Sequence, residues 1–226
     1  MLTAAMRMLP DFLIIGAQKS GTTSLYSHLA KHPSVGAAFE KEVRYFNDHF
    51  AKGVNWYKAH FPMRRSGSRI ITGEGEPSYL PNPLAAERVL ELVPDIKLIV
   101  MLRNPVDRAY SHYQHRFTRN REQRSFEEVC ATDKETLKDG WDNLPTEDYI
   151  RLGHSHYSYL PRGLYFEQLK QWLTVFPKEQ FLIIKAEDFF ADTQAGYDDV
   201  LAYLDLPAHQ LEQRKRHNVG KYTQPM

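Results

Sequence analysis

Lys19 stands inside a glycine-bounded loop, Gly16-Ala17-Gln18-Lys19-Ser20-Gly21-Thr22-Thr23, directly after the apolar run FLIIG. That composition suits an anion. Glycines let backbone approach closely, amides at the start of a following helix attract negative charge, the lysine adds a full positive charge and the threonine hydroxyls donate hydrogen bonds. The lysine lies within the loop and not after its second glycine, so the pattern is not the Walker one. A bare tight turn between strand and helix is the competing reading. A second candidate is Arg103, which ends the run KLIVMLRNP. A nucleoside triphosphatase of the P-loop type needs an aspartate in that region for magnesium. An arginine disfavours a metal there and favours a further anionic group, which the guanidinium fork can grip. Ser111, two helical turns on, can offer a hydroxyl to the same group. A structural salt bridge is the alternative role for Arg103.

The elements that must position these residues are legible around them. FLIIG reads as a short buried strand, and Leu25 and Leu29 recur at helical spacing from Thr22 until Pro33 stops the pattern. Residues 97–102 read as a fully buried strand, and Asn104 with Pro105 and Asp107 as a helix start. A third strand is expected at QFLIIKAEDF, between the helical patterns LYFEQLKQWLTVF and YDDVLAYLDL. RIITGEGEPSYLPNP offers a short strand over Arg69 to Thr72, then a Gly/Pro turn region before a helix through AAERVLELV. Residues 117–150 are highly charged and weakly periodic, which fits surface helices and a loop. Strands alternating with helices imply an α/β fold, a central parallel sheet covered on both faces. Ligands bind such sheets beyond the carboxyl ends of the strands, where both candidate groups fall.

The bulk properties bound the function. The chain has 226 residues, 42% of them hydrophobic, enough for one domain with a substantial core. Its 29 Lys and Arg nearly balance 28 Asp and Glu, so no global charge argues for coating nucleic acid or an anionic membrane. An anion site must therefore be local. The single cysteine, Cys130, leaves no disulfide framework and no cysteine cluster for zinc, and points to a reducing compartment. MLTAAMRMLPDF is too short an apolar start for a signal peptide, and no segment reaches membrane-spanning length. The expectation is a soluble, cytoplasmic protein; nothing in the sequence specifies an oligomeric state.

Taken together, the sequence resembles the sulfotransferases that use 3′-phosphoadenosine 5′-phosphosulfate. IIGAQKSGTTSLYSHLAKHP is similar to their 5′-phosphosulfate loop, and LRNPVDRAYSHYQHR to their 3′-phosphate strand and helix. The likeness extends through KEVRYFND, KGVNWYKAHFP, GEGEPSYL, YLPRGLYFEQLKQWLTVFP and the terminal HNVGKYTQPM, nearly the whole chain, and is nearest in flavour to the heparan-sulfate-type and bacterial carbohydrate or small-molecule branch. It implies a P-loop-like fold, one domain over residues 1–226, and in-line transfer of a sulfonyl group to a hydroxyl or amine of a carbohydrate, lipid or small molecule, leaving 3′,5′-bisphosphoadenosine, with no metal. By the same likeness Gln18, Lys19, Ser20, Gly21, Thr22 and Thr23 hold the phosphosulfate end. Arg103, Ser111, Gly220, Lys221 and Tyr222 hold the 3′-phosphate. KEVRYF supplies Glu42 as the base that takes the acceptor proton, with Lys41 assisting at the sulfonyl group, and Arg162 and Tyr165 fall near nucleotide or acceptor.

Departures from the pattern sharpen the expectations. Many relatives carry histidine where this chain has Arg44, so no histidine base stands there, and His49 and His115 are the other candidates. Heparan-sulfate relatives carry lysine where this chain has Gly75, which argues against the same polyanionic acceptor. Relatives usually continue into another helix where this sequence stops at Met226, so the expectation is a trimmed chain or a missing final helix. A kinase of the P-loop class, or a nucleotide-binding module without catalysis, are the competing functions. Trp56, Tyr57, Phe61 and Tyr79 could stack on adenine or acceptor, or fill the core.

Overall fold

The computed structural model describes residues 6–64, 70–137 and 158–212. Five parallel strands form its centre: β1 (Phe12–Gly16), β2 (Val35–Ala37), β3 (Ile71–Gly75), β4 (Lys97–Leu102) and β5 (Phe181–Lys185). They lie side by side in the order β2-β3-β1-β4-β5. The helices are α1 (Thr22–Leu29), α2 (Val54–Lys58), α3 (Ala85–Leu92), α4 (Pro105–Phe117), α5 (Phe126–Thr136), α6 (Tyr165–Val175), α7 (Ala186–Ala191) and α8 (Thr193–Tyr203). No helix among the described residues is long and apolar enough to cross a membrane.

Both faces of the sheet are apolar, which is why β1 and β4 read as continuous hydrophobic runs. Successive side chains point to opposite faces. Leu13, Ile15, Leu98 and Val100 therefore meet Val89 of α3, Trp172 of α6 and the rings of Tyr57, Phe61 and Tyr79. Phe12, Ile14, Ile99 and Met101 meet Leu25 and Leu29 of α1 and Phe189, Tyr197 and Val200 from α7 and α8. Each fully buried side chain of this kind contributes roughly 1.5–3 kcal/mol relative to exposure. Tyr57, Phe61 and Tyr79 are fully buried, so these three aromatics belong to the core and do not stack on a ligand.

Three boundaries depart from the sequence-based expectation. β3 begins at Ile71 and continues through Gly73, Glu74 and Gly75, where a Gly/Pro turn was expected. Gly73 pairs with Phe12 of β1 so closely that a Cβ would come 2.4 Å from the Phe12 carbonyl oxygen, so a glycine there permits pairing and does not signal a turn. β2, the three residues VGA, was not expected at all; it is too short to show a period. β5 ends at Lys185, and Ala186-Glu187-Asp188-Phe189 opens α7 instead of extending the strand.

The topology fixes the position of the site. The chain leaves β1 toward β2 on one side and leaves β4 toward β5 on the other, so a crevice opens between the carboxyl ends of β1 and β4. Ala17 donates its amide to the Met101 carbonyl at 2.7 Å, pinning the start of the glycine loop to β4.

Candidate active site

The loop after β1 turns through two left-handed residues, Lys19 at φ 71° and Gly21 at φ 100°. Gly21 is required twice, since a Cβ there would also meet the Phe190 ring at 2.6 Å. It caps α1 without any side-chain hydrogen bond, and no acidic residue sits in the first turn. The amides that open an α-helix have no intrahelical partner, and with the macrodipole they form a positive end. Ser20 and Thr22 are buried at this end, and Gln18, Lys19, Gly21 and Thr23 are half-buried.

Arg103 follows β4 and brings the second loop against the first: its Nη1 donates to the Lys19 carbonyl at 3.4 Å. Among the described residues no carboxylate lies within ion-pair distance of Arg103, which removes the structural salt bridge as its role there. Asn104 behind it caps α4, its side chain accepting from the Val106 and Asp107 amides, as its sequence position suggested. The Tyr165 hydroxyl donates to the Arg103 carbonyl at 3.0 Å. Ser111 is buried on α4, two turns farther on. Gly220, Lys221 and Tyr222 lie outside the described residues.

The charges here are crowded with like sign. The Lys19 ammonium is 3.3 Å from His115 Nδ1, and Arg119 donates to the same ring. Burial, reinforced by Arg119 and Arg103, pushes the Lys19 pKa down to about 8. Burial and the neighbouring Lys19 and Arg119 push His115 down to about 4, so its ring is neutral at pH 7 and accepts from the lysine. Arg162 is buried and reaches Gln18 Oε1 at 2.9 Å, its pKa lowered to about 9 by burial and by Arg108. Arg108 is fully buried, donates to the Tyr159 carbonyl, and leaves Nε and Nη1 without partners. His112 is fully buried beside these cations, and burial holds it well below the usual histidine range. A cation surplus with open helical amides fits a multiply anionic ligand.

Glu42 and Lys41 lie on the segment after β2. The lysine ammonium is paired directly with Glu42 Oε1, and the Glu42 side chain is 47% exposed. Burial pushes the Glu76 carboxyl up and the Glu42 charge adds to the rise, while Glu76 partly offsets the lowering of Arg162, whose guanidinium reaches Gln18 of the loop. His49 instead packs edge-on against Trp56, at 4.9 Å between ring centroids.

The sequence did not single out Glu74, Glu76 or Arg108. Their signal was the pair of glutamates in GEGEP and the cationic spacing of α4, both indistinguishable from solvated charge until the fold buries them.

The family profile described as Sulfotransferase domain matches residues 9–223. The chain belongs to the sulfotransferase family. It is 30% identical to the membrane-associated sulfotransferase kil1 of Dictyostelium discoideum over 95% of this chain and 60% of that protein. It is 35% identical to the bifunctional heparan sulfate N-deacetylase/N-sulfotransferase 3 of Homo sapiens over 89% of this chain and 23% of the relative. The chain thus spans less than two thirds of the length of these relatives. Among solved structures, a sulfotransferase from Alicyclobacillus acidocaldarius superposes with a TM-score of 0.75 at 32% identity, covering 90% of this chain and 84% of that one. The sulfotransferase domain from the curacin biosynthetic pathway, at 15% identity and TM-score 0.52 over 95% of this chain and 81% of that one, shares the fold.

Proposed function

We propose that this sulfotransferase-family chain transfers a sulfonyl group from 3′-phosphoadenosine 5′-phosphosulfate to a hydroxyl or amine of a carbohydrate, lipid or small-molecule acceptor, without a metal. The observation that carries the reading is the meeting of Lys19 and Arg103 across the β1–β4 crevice at the uncapped start of α1. The nucleotide, when bound, supplies an activated sulfonyl group and a phosphate leaving group. Ser20, Gly21, Thr22 and Thr23 bring hydroxyls and helix-start amides to that phosphate, and the Lys19 ammonium neutralises charge as it grows there, the preorganised arrangement that lowers a barrier most. Neutral His115 accepts a hydrogen bond from Lys19 and holds the ammonium in place. Arg103 and Ser111 take the separate 3′-phosphate, together with Gly220, Lys221 and Tyr222.

Glu42 removes the acceptor proton, an action that contributes roughly 10²- to 10⁴-fold. Lys41 holds its carboxylate. The carboxylates at Glu42 and Glu76, with Gly75 between Glu74 and Glu76, favour a neutral or amine-bearing acceptor over a polyanion. A cytoplasmic location is part of the proposal, and cell fractionation checks it.

The test is release of 3′,5′-bisphosphoadenosine from the donor with a panel of alcohols and amines. Acceptor-dependent release that Glu42→Gln abolishes supports the reading. Release independent of any acceptor, or undiminished by Glu42→Gln, removes Glu42 as the base.

A further inference from the structure

We infer that Glu74 is the positioning residue of the Glu42 segment: its buried carboxylate takes the Val43 amide and two tyrosine hydroxyls, and so fixes the backbone that presents Glu42. The inference rests on Glu42 being the base, as proposed above. Glu74 lies on β3 and is completely buried. Its Oε1 accepts from the Tyr57 hydroxyl at 2.7 Å and the Tyr79 hydroxyl at 2.8 Å. Its Oε2 accepts from the Val43 amide at 3.1 Å. Three donors from α2, from the turn after β3 and from the segment after β2 thus converge on one acceptor-only group.

The target of that grip is specific. Val43 is flanked by two non-glycine residues in the left-handed region, Glu42 at φ 66° and Arg44 at φ 59°. Such conformations persist only where the surroundings impose them. The Val43 amide lies between these two residues, and Tyr79 also accepts from the Phe46 amide at 3.4 Å, binding the next turn to the same clamp. A carboxylate buried in the core is unfavourable unless hydrogen-bonded. An apolar residue at position 74 would fill the space but leave the Val43 amide and two hydroxyls without acceptors.

The clamp also senses protons. Burial pushes the Glu74 pKa up to about 7, against the pull of the tyrosine and amide hydrogen bonds, and Glu76 adds to the rise. The titratable groups facing it are Tyr57, Tyr79, Glu76 and, from α1, Tyr26. Protonation turns one oxygen into a donor, so the grip on Val43 and both tyrosines is complete only on the alkaline side of that pKa.

The experiment uses the whole chain, with the Val43 amide resonance followed against pH and turnover measured in parallel. In the unmodified chain the resonance is expected to titrate near neutrality; Tyr79→Phe moves that titration upward by removing a bond that stabilises the charge. Glu74→Gln is expected to flatten it and to lower kcat roughly 10- to 100-fold, the scale for a displaced catalytic group, while affinity for 3′,5′-bisphosphoadenosine is unchanged. A Val43 resonance that does not titrate, or a folded Glu74→Gln chain with undiminished kcat, overturns the inference. Should Glu74→Gln fail to fold, the unmodified and Tyr79→Phe titrations decide. A titrating Val43 amide in a chain that transfers to no acceptor rejects sulfonyl transfer and leaves the clamp standing.

Discussion

The β1–α1 and β4–α4 units face each other across one crevice and follow one plan, strand to turn to helix, yet they begin their helices differently. At α4 the Asn104 side chain satisfies two amides and Asp107 supplies a carboxylate in the first turn. At α1 Gly21 supplies no side chain and the first turn has no acid. The second helix carries its own counter-groups, and the first leaves its positive end open. Under the proposed function the contrast divides the ligand: the departing phosphate lies at α1, among open amides and the Lys19 ammonium, and the anion at β4–α4 is held by side chains such as Arg103.

Lys19→Ala breaks the comparison at its strongest point. Because the lysine acts as charge develops, kcat is expected to fall about 10²- to 10³-fold, the cost of losing one preorganised donor, with much less change in bisphosphate affinity. Steady-state kinetics beside equilibrium binding separates the two, and a pure affinity loss would show that Lys19 binds the ground state equally.

Arg103→Ala tests the other unit. A hydrogen bond to a charged group is worth about 1.5–3 kcal/mol, so preference for the 3′-phosphorylated nucleotide over its unphosphorylated analogue should shrink at least about tenfold. Competition binding reads it, and an unchanged ratio places the 3′-phosphate elsewhere.

The pH dependence of binding comes next in size. Lys19 has its pKa depressed to about 8. In the ligand-free chain this lysine therefore favours folding at high pH and loses that contribution as pH falls through about 8. An anion reverses the balance and draws a proton on. Bisphosphate affinity should fall as pH rises through about 8, by at most about tenfold per pH unit, with proton uptake detectable by titration in buffers of different ionisation enthalpy. Flat affinity across that range contradicts a charged Lys19 at the phosphate.

Asn104→Ala should have the smallest effect, and one confined to stability. Losing an N-cap costs about 1 kcal/mol, and thermal unfolding should register it while bisphosphate binding stays unchanged. Weakened binding would mean that α4 is also an anion-binding helix start.

These two units were also the most legible part of the sequence. β1 and β4 announce themselves because both faces are apolar, and Asn104-Pro105 marks α4 because capping is a local interaction. The glycine loop is legible for the same reason: φ 100° at Gly21 demands glycine whatever surrounds it. β3 was misplaced because its middle is Gly73-Glu74-Gly75, residues that local propensity assigns to a turn. Only partners distant in sequence, Val43 and Tyr57, make a buried Glu74 affordable there. The inward polar groups of α4 were hidden likewise: nothing local distinguishes Arg108 and His112 from solvated residues, and only Tyr159 and Arg162, distant in sequence, bury them.

The measurement that bears most directly on the central claim is a calorimetric titration of the chain with 3′,5′-bisphosphoadenosine, beside ADP and magnesium ATP. An open helix start opposite Arg103 predicts selective binding of the bisphosphate with no metal added. Preference for magnesium ATP would contradict it and return the glycine loop to kinase chemistry.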